Sequence, residues 1–283
     1  MCSKQTKWEG IMAAGFDFKD RTAVITGAGG GIGAALAEGL AARGAHLALA
    51  DVNRAGLAAT AEKVSGAGVR VMTEVLDVSD PAAPAAFADA VKAGHGGAAL
   101  VFNNAGIAVG GTFDRVKPED FDKVLAVNFA GVVRMTRAFL PLLQAEREAR
   151  LVNISSIFGI IAPPGQTAYS ASKFAVRGFS MALAHELEGS SVGVTVVHPG
   201  GVATRIAEDA IKPADASNAE INDSLERARK ALVMPPPEAA EIILRGVEKR
   251  KRRVLVGRDA HILMWMERLF PTGYIRFLRS RLG

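Results

Sequence analysis

Short apolar runs alternate along the chain with longer, alanine-rich segments that carry spaced charges. The runs are TAVIT (22–26), HLALA (46–50), VRVMTEVL (69–76), ALVFN (99–103), RLVNIS (150–155), GVTVVH (193–198) and RRVLVG (252–257). Most are nearly continuous in hydrophobic side chains, the pattern of strands covered on both faces. The segments between them predict helices over about 34–43, 55–64, 118–148, 168–188 and 237–248, and one more after Ser79–Asp80–Pro81, a capping sequence. Strand and helix in repeated alternation predict an α/β fold. It is a single domain with a doubly wound parallel sheet of about seven strands and helices on both faces.

That domain is expected to span 16–257. Residues 1–15 are mixed in composition and read as a disordered tail. The polar stretch 205–234, closed by Pro235–Pro236–Pro237, reads as a long insertion over one end of the sheet, a candidate substrate lid. Residues 258–283 form an apolar and basic extension.

Composition narrows the classes. The 283 residues are 49% hydrophobic and 22% charged, an ordinary globular balance. No apolar run reaches the ~18–20 residues of a membrane span, and the N-terminal stretch lacks a signal-peptide core. Cys2 is the single cysteine, so an internal disulfide and a cysteine metal cluster are excluded. This fits a cytoplasmic location. The net charge of +5 is local: residues 245–283 hold 11 Lys and Arg against 3 Asp and Glu, and the remainder is slightly acidic.

Five glycines fall within the seven positions 27–33, between the first strand and the first helix. A helix N-terminus presents unpaired N–H groups and a partial positive charge, a site for a pyrophosphate when no Cβ blocks the approach. Gly27 would allow the sharp turn, Gly31 the close approach, and Gly33 tight packing of the helix on the sheet. The spacing is GxGxxxG, one residue longer than the dinucleotide fingerprint of a Rossmann fold. Asp51, at the end of the second run, stands where a carboxylate would bind the adenosine ribose and disfavour the extra phosphate of NADP. Nearby Arg54 argues the other way, and Asp51 is also a candidate helix N-cap.

A second cluster lies in 152–176. Tyr169 and Lys173 are four residues apart and share a helix face. A lysine charge favours tyrosinate, which makes Tyr169 a candidate proton acceptor or donor. Ser156 ends the fifth strand, at the sheet edge where open α/β folds build sites, and its hydroxyl could hold a substrate oxygen. Apolar Ile157, Phe158, Ile160 and Ile161 follow it and suit a lipophilic substrate. No His, Asp or Glu grouping has metal-ligand geometry, so no metal is expected.

Together these motifs resemble the short-chain dehydrogenase/reductase family, in an extended-core, NAD-preferring form. The resemblance runs over about 16–256. TGAGGGIG (26–33) matches its TGxxxGxG turn, NNAG (103–106) its strand-four motif and YSASK (169–173) its YxxxK. Ser156 precedes Tyr169 by the family's usual spacing. LAVNFAG (125–131) puts Asn128 at a fourth catalytic position, and HPGGVAT (198–204) matches PGxVxT. The resemblance implies that Tyr169 is the general acid/base and that Lys173 lowers its pKa and binds the nicotinamide ribose. Ser156 would orient the substrate oxygen, and Asn128 would hold a water in a proton relay. It also implies that Ile32 belongs to the cofactor turn and that Asp77 and Val78 contact adenine. Asn104, Ala105 and Gly106 would line the cofactor trough. Pro199, Gly200, Val202 and Thr204 would lie beside the nicotinamide.

Plainer roles remain open at this point. Asn104–Gly106 and Pro199–Gly200 suit ordinary turns, Asn128 a satisfied buried amide, and Tyr169 with Lys173 a surface pair. The expected function is NAD-dependent interconversion of a secondary alcohol and a ketone, in a homodimer or homotetramer built on the long helices. A nucleotide-binding sensor or structural protein, or a dehydratase or epimerase of the same fold, are the rivals. In the extension, Ile262, Leu263, Trp265, Met266, Leu269 and Phe270 predict an apolar helix. Tyr274, Ile275, Phe277 and Leu278 follow, interleaved with arginines. It could cap the substrate cleft or pack on a subunit, or lie in a membrane interface. The run Lys249–Arg253 could touch nucleic acid, but a solvated helix end explains it better, and no nucleic-acid partner is expected.

Overall fold

A computed structural model describes residues 15–275. Seven parallel strands form one sheet in the order β3-β2-β1-β4-β5-β6-β7. They are β1 (Thr22–Thr26), β2 (His46–Asp51), β3 (Val71–Val75), β4 (Leu100–Asn103), β5 (Ala149–Ile154), β6 (Val192–Pro199) and β7 (Arg253–Val256). Side chains alternate across each strand and so feed two cores. Ala23, Ile25, Leu47, Leu49, Leu100 and Phe102 point to one face. There they meet α1 (Gly31–Ala41), α2 (Arg54–Val64) and, counting on along the chain, α8 (Pro236–Glu248). Val24, Ala48, Ala50, Val101 and Leu151 point to the other face. That face is covered by α3 (Ala83–His95), α5 (Gly131–Ala145) and α6 (Thr167–Glu186). The doubly wound sheet is therefore as expected.

Three local expectations change. β3 is an edge strand and largely exposed, because only β2 pairs with it. The helix after Ser79–Asp80–Pro81 starts later, at Ala83, and has no side-chain cap. Asp80 Oδ1 instead accepts from the Ala82 N–H at 2.8 Å, and the Ser79 hydroxyl donates to Asp77. The long helix expected over 118–148 is α4 (Pro118–Leu125), a π-helical turn (Ala126–Ala130) and α5. By length and composition the stretch 118–145 could cross a bilayer. Here Met135, Phe139 and Leu143 of α5 are buried against the sheet, and Val132 is also buried.

The segment 205–234 contains α7 (Asn218–Ala231), which opens on a capping box of Ser217 and Glu220. It is tied down by β-bridges Val109–Ile211 and Val202–Met234, and by ion pairs from Arg115 to Asp215 and Glu220. In the extension, α9 (Arg258–Leu269) follows β7 directly. The basic run before β7 is partly paired, Arg250 with Glu148 and Arg252 with Glu188. The tail expected at 1–15, Gly15 excepted, lies outside the described residues, as do Phe277, Leu278 and the arginines at 276, 279 and 281. Phe16 is already fixed: it is buried, and its N–H donates to the Glu248 carbonyl at 2.8 Å.

Candidate active site

The carboxyl ends of β1, β4, β5 and β6 converge on one edge of the sheet, and the predicted residues gather there. At β1 the chain turns through Gly27 (φ +66°) and Gly31 (φ +53°) into α1. Only glycine adopts this region freely. A Cβ on Gly33 would collide with the Gly27 carbonyl, so the first turn of α1 closes on the loop only without a side chain. Gly30 is the N-cap, no side chain caps α1, and no acidic residue occupies its first turn. A Cβ on Gly30 would meet nothing within 4 Å. An uncapped, positively polarised helix end beside open space fits a dinucleotide pyrophosphate. The Ile32 side chain turns toward the core, so its contribution there would be its backbone N–H.

Asp51 ends β2 against this loop. Its Oδ2 accepts from the Gly29 N–H and its Oδ1 from the Asn53 N–H, each at 2.8 Å. The N-cap of α2 is Asn53, not Asp51, because the Asn53 side chain reaches the Gly56 N–H. After β3, Asp77 is exposed and binds Ser79. Val78 is buried against Gly131 at the start of α5. After β4, the Asn104 amide donates to the Thr26 and Gly27 carbonyls at 3.0 and 3.1 Å. Thr26 Oγ1 accepts from the N–H groups of Asn104 and Ala105. The 103–106 turn is thus latched to the glycine turn, through a threonine to which the sequence had given no role.

Ser156 follows β5 and caps a single 3₁₀ turn, Ile157–Gly159, its Oγ accepting from the Phe158 N–H at 3.1 Å. Its hydroxyl stands near enough to the Tyr169 hydroxyl to favour the tyrosinate. On α6, the buried Lys173 ammonium donates to the Ile154 carbonyl at 3.0 Å. It lies 5.6 Å from the Tyr169 ring centre. Gly106 lets this cluster close: a Cβ there would stand 3.3 Å from Asn128 Oδ1 and 3.4 Å from Lys173 Nζ. Asn128, fully buried in the π turn, accepts from the Ile107 N–H and donates to the Ile107 carbonyl and to Ser172 Oγ. A π turn here fits the habit of such turns to occur at functional sites.

Burial dominates the electrostatics of the Tyr–Lys pair. Burial pushes the Tyr169 hydroxyl up to about 12, and the Ser156 hydroxyl offsets part of this. Burial pushes Lys173 down to about 8. The Lys173 ammonium donates to the Ile154 carbonyl and lies 5.6 Å from the Tyr169 ring centre, close enough for its charge to favour tyrosinate.

At the end of β6, Pro199 pairs with Val256 of β7, and beyond it Val202 is buried. Thr204 faces the glycine turn: a Cβ on Gly31 would come within 2.9 Å of its methyl. Three neighbours of the site went unassigned in the sequence. His198 Nδ1 lies 2.9 Å from the Ser156 carbonyl. Asp259 Oδ2 accepts from the Gly201 N–H, and Tyr274 Oη from the Ala162 N–H. No local spacing announces them. The inner face of α9 packs on Ile157, Ile160 and Ile161, so the extension covers the turn after Ser156.

Residues 21–215 match the family model described as short chain dehydrogenase. SadH of Mycobacterium tuberculosis is 44% identical over 265 residues, which is 93% of this chain and 95% of that protein. A short chain dehydrogenase/reductase from Burkholderia phymatum, solved in complex with NAD, superposes with a TM-score of 0.83. It is 31% identical and covers 90% of this chain and 95% of its own. A short chain dehydrogenase from Mycobacterium paratuberculosis bound to NAD gives a TM-score of 0.74 at 26% identity, over 85% and 97% of the two chains.

Proposed function

Because this chain belongs to the short chain dehydrogenase family, we propose that it is an NAD-dependent oxidoreductase interconverting a lipophilic secondary alcohol and its ketone. The observation that carries this reading is the meeting of Ser156, Tyr169, Lys173 and Asn128 beside the glycine turn at one sheet edge. When bound, the dinucleotide supplies the hydride chemistry. The NAD held by the Burkholderia and Mycobacterium relatives supports a nicotinamide dinucleotide here. Gly27, Gly31, Gly33 and the backbone of Ile32 would cradle its pyrophosphate, and Asp51 its adenosine ribose. Asp77, Val78 and the 104–106 turn would line the adenine side and the trough. Pro199, Gly200, Val202 and Thr204 would close the nicotinamide end.

The chain's own groups handle the proton. Ser156 Oγ orients the substrate oxygen. Tyr169 Oη takes its proton in oxidation and returns it in reduction. As a base Tyr169 has to come down from about 12, and the Lys173 charge is the nearest source of that pull. An ammonium has three donors and the Ile154 carbonyl takes one, which leaves donors for a ribose hydroxyl. Asn128, with Lys173 near, would hold the water that carries the proton onward. Ile157, Phe158, Ile160 and Ile161 make the turn after Ser156 apolar, packed under α9, and an apolar surround of this kind beside the serine suits a lipophilic substrate. A lone cysteine suits a cytoplasmic enzyme. Exposed Phe174 and Met181 on α6 suit a dimer or tetramer interface. The outward stripe of α9 suits a peripheral contact with an anionic lipid surface.

The test is titration of wild type and Asp51→Ala with NAD and NADP, followed by turnover of wild type and Tyr169→Phe on secondary alcohols. Tighter binding of NAD, lost in Asp51→Ala, is expected. Tyr169→Phe should lower kcat by about 10²–10⁴-fold without changing dinucleotide affinity. Binding with no turnover, unaltered by Tyr169→Phe, would establish the sensor rival instead.

A further inference from the structure

Besides its apolar packing on the turn after Ser156, the C-terminal extension makes two hydrogen bonds to the site among the described residues, both accepted from backbone N–H groups of site loops. The first is Asp259, in the opening turn of α9. Its Oδ2 accepts from the Gly201 N–H at 2.7 Å. Gly201 is also the partner of the lid, its carbonyl accepting from the Val233 and Met234 N–H groups at 3.1 and 3.0 Å. Three residues on, Thr204 faces Gly31 of the glycine turn. Asp259 therefore holds the loop 199–204 at Gly201, three residues before the threonine that faces the glycine turn. Side chains at Gly200 or Gly257 would collide with its carboxylate, so the two glycines leave the space it fills.

The second point is Tyr274, nearly buried, whose Oη accepts from the Ala162 N–H at 3.1 Å. Tyr274 packs with Ile157, Ile160 and Ile161. That segment begins at Ser156. Phe158 within it stands edge-on to the Tyr169 ring, with centroids 6.1 Å apart. Tyr274 thus braces the turn that carries the serine hydroxyl and abuts the tyrosine.

We propose that the extension is a two-point clamp, in which Asp259 is a positioning residue for the nicotinamide-facing loop and Tyr274 for the Ser156 turn. This rests on the dinucleotide reading above. A loop held by a charge-assisted hydrogen bond from outside the site loses less freedom when a ligand docks on its inner side, so affinity is gained by preorganisation. The two residues divide the labour. Asp259 acts on cofactor affinity, and Tyr274 on substrate KM and kcat.

The experiment uses the full chain and the variants Asp259→Ala, Asp259→Asn and Tyr274→Phe. NAD affinity, KM and kcat are measured, together with hydrogen–deuterium exchange over 157–162 and 199–204. Asp259→Ala should weaken NAD binding about tenfold, the equivalent of ~1.4 kcal/mol. Asp259→Asn keeps an acceptor and should recover most of that loss. Tyr274→Phe should leave NAD affinity unchanged, raise substrate KM or lower kcat several-fold, and speed exchange in 157–162 alone. Equal NAD affinity in wild type and Asp259→Ala would overturn the clamp. So would uniform loss of affinity and turnover in every variant in step with its thermal midpoint. If wild type binds no dinucleotide, the functional reading fails by itself. The exchange data then decide the clamp alone, and unchanged rates in both loops would overturn it.

Discussion

At the residue scale the site depends on groups that burial forces into one state. His198 is fully buried on β6, with Nδ1 at the Ser156 carbonyl and Nε2 without a partner. Burial, together with the Arg177 and Arg253 charges, lowers its pKa from 6.5 to about 4, against a pull upward from the Ser156 hydrogen bond. It is therefore neutral near pH 7, and Nδ1 carries the proton that the carbonyl accepts. The sign follows from proton uptake. Between pH 6.5 and about 4 the unfolded chain binds the proton and the folded chain does not, so stability is complete above 6.5 and is lost as pH falls toward 4. The loss approaches ~3 kcal/mol at the acid end. His198→Asn keeps a donor for Ser156 and removes the titration. Denaturant unfolding at pH 7 and pH 5 should show a smaller difference for this variant than for wild type; equal differences would remove His198 as the cause. His198 was visible only as a member of HPGGVAT. Gly33 was fully legible, because a missing Cβ at a strand-to-helix turn has a local cause.

At the element scale the informative piece is the π turn between α4 and α5. Hydrophobic periodicity cannot distinguish it from the helices on either side, so 118–148 read as one helix. The extra residue per turn is matched by Asn128, which pairs with both the N–H and the carbonyl of Ile107 and with Ser172 on α6. These bonds tie the loop after β4 and the π turn to α6, the helix that carries Lys173. Asn128→Ala leaves the Ile107 N–H and carbonyl without these partners, and should cost about 1–3 kcal/mol of stability by denaturant titration. The loss should be larger than for Asn218→Ala at the exposed start of α7, which serves as a control. Sequence alone left open whether Asn128 was catalytic or simply satisfied. The structure shows it satisfied and adjacent to Lys173, two properties that coexist.

At the scale of the whole molecule, the extension presents two faces. Inward, Ala260, Leu263, Met264 and Tyr274 pack on the turn after Ser156. Outward, Ile262, Trp265, Leu269 and Phe270 are each more than half exposed, and Arg268 stands over the Trp265 ring at 5.9 Å. If this stripe meets lipid, the protein should co-sediment with vesicles containing anionic lipid and not with purely zwitterionic ones. Trp265→Ser with Leu269→Ser should abolish that without changing NAD affinity. Vesicle binding unchanged in the double variant would remove the stripe from the contact. The sequence by itself determined the strand–helix alternation and the glycine turn and singled out Ser156, Tyr169 and Lys173, because each is written in short-range spacing or in the chemistry of one residue; Asn128 was marked only by resemblance to the family pattern. Tertiary structure alone decided that Asp259 holds Gly201 and that Tyr274 holds Ala162, 58 and 112 residues away along the chain. Contacts at such separation leave no periodic trace; they exist only once β6, β7 and α9 have brought the two ends of the site together.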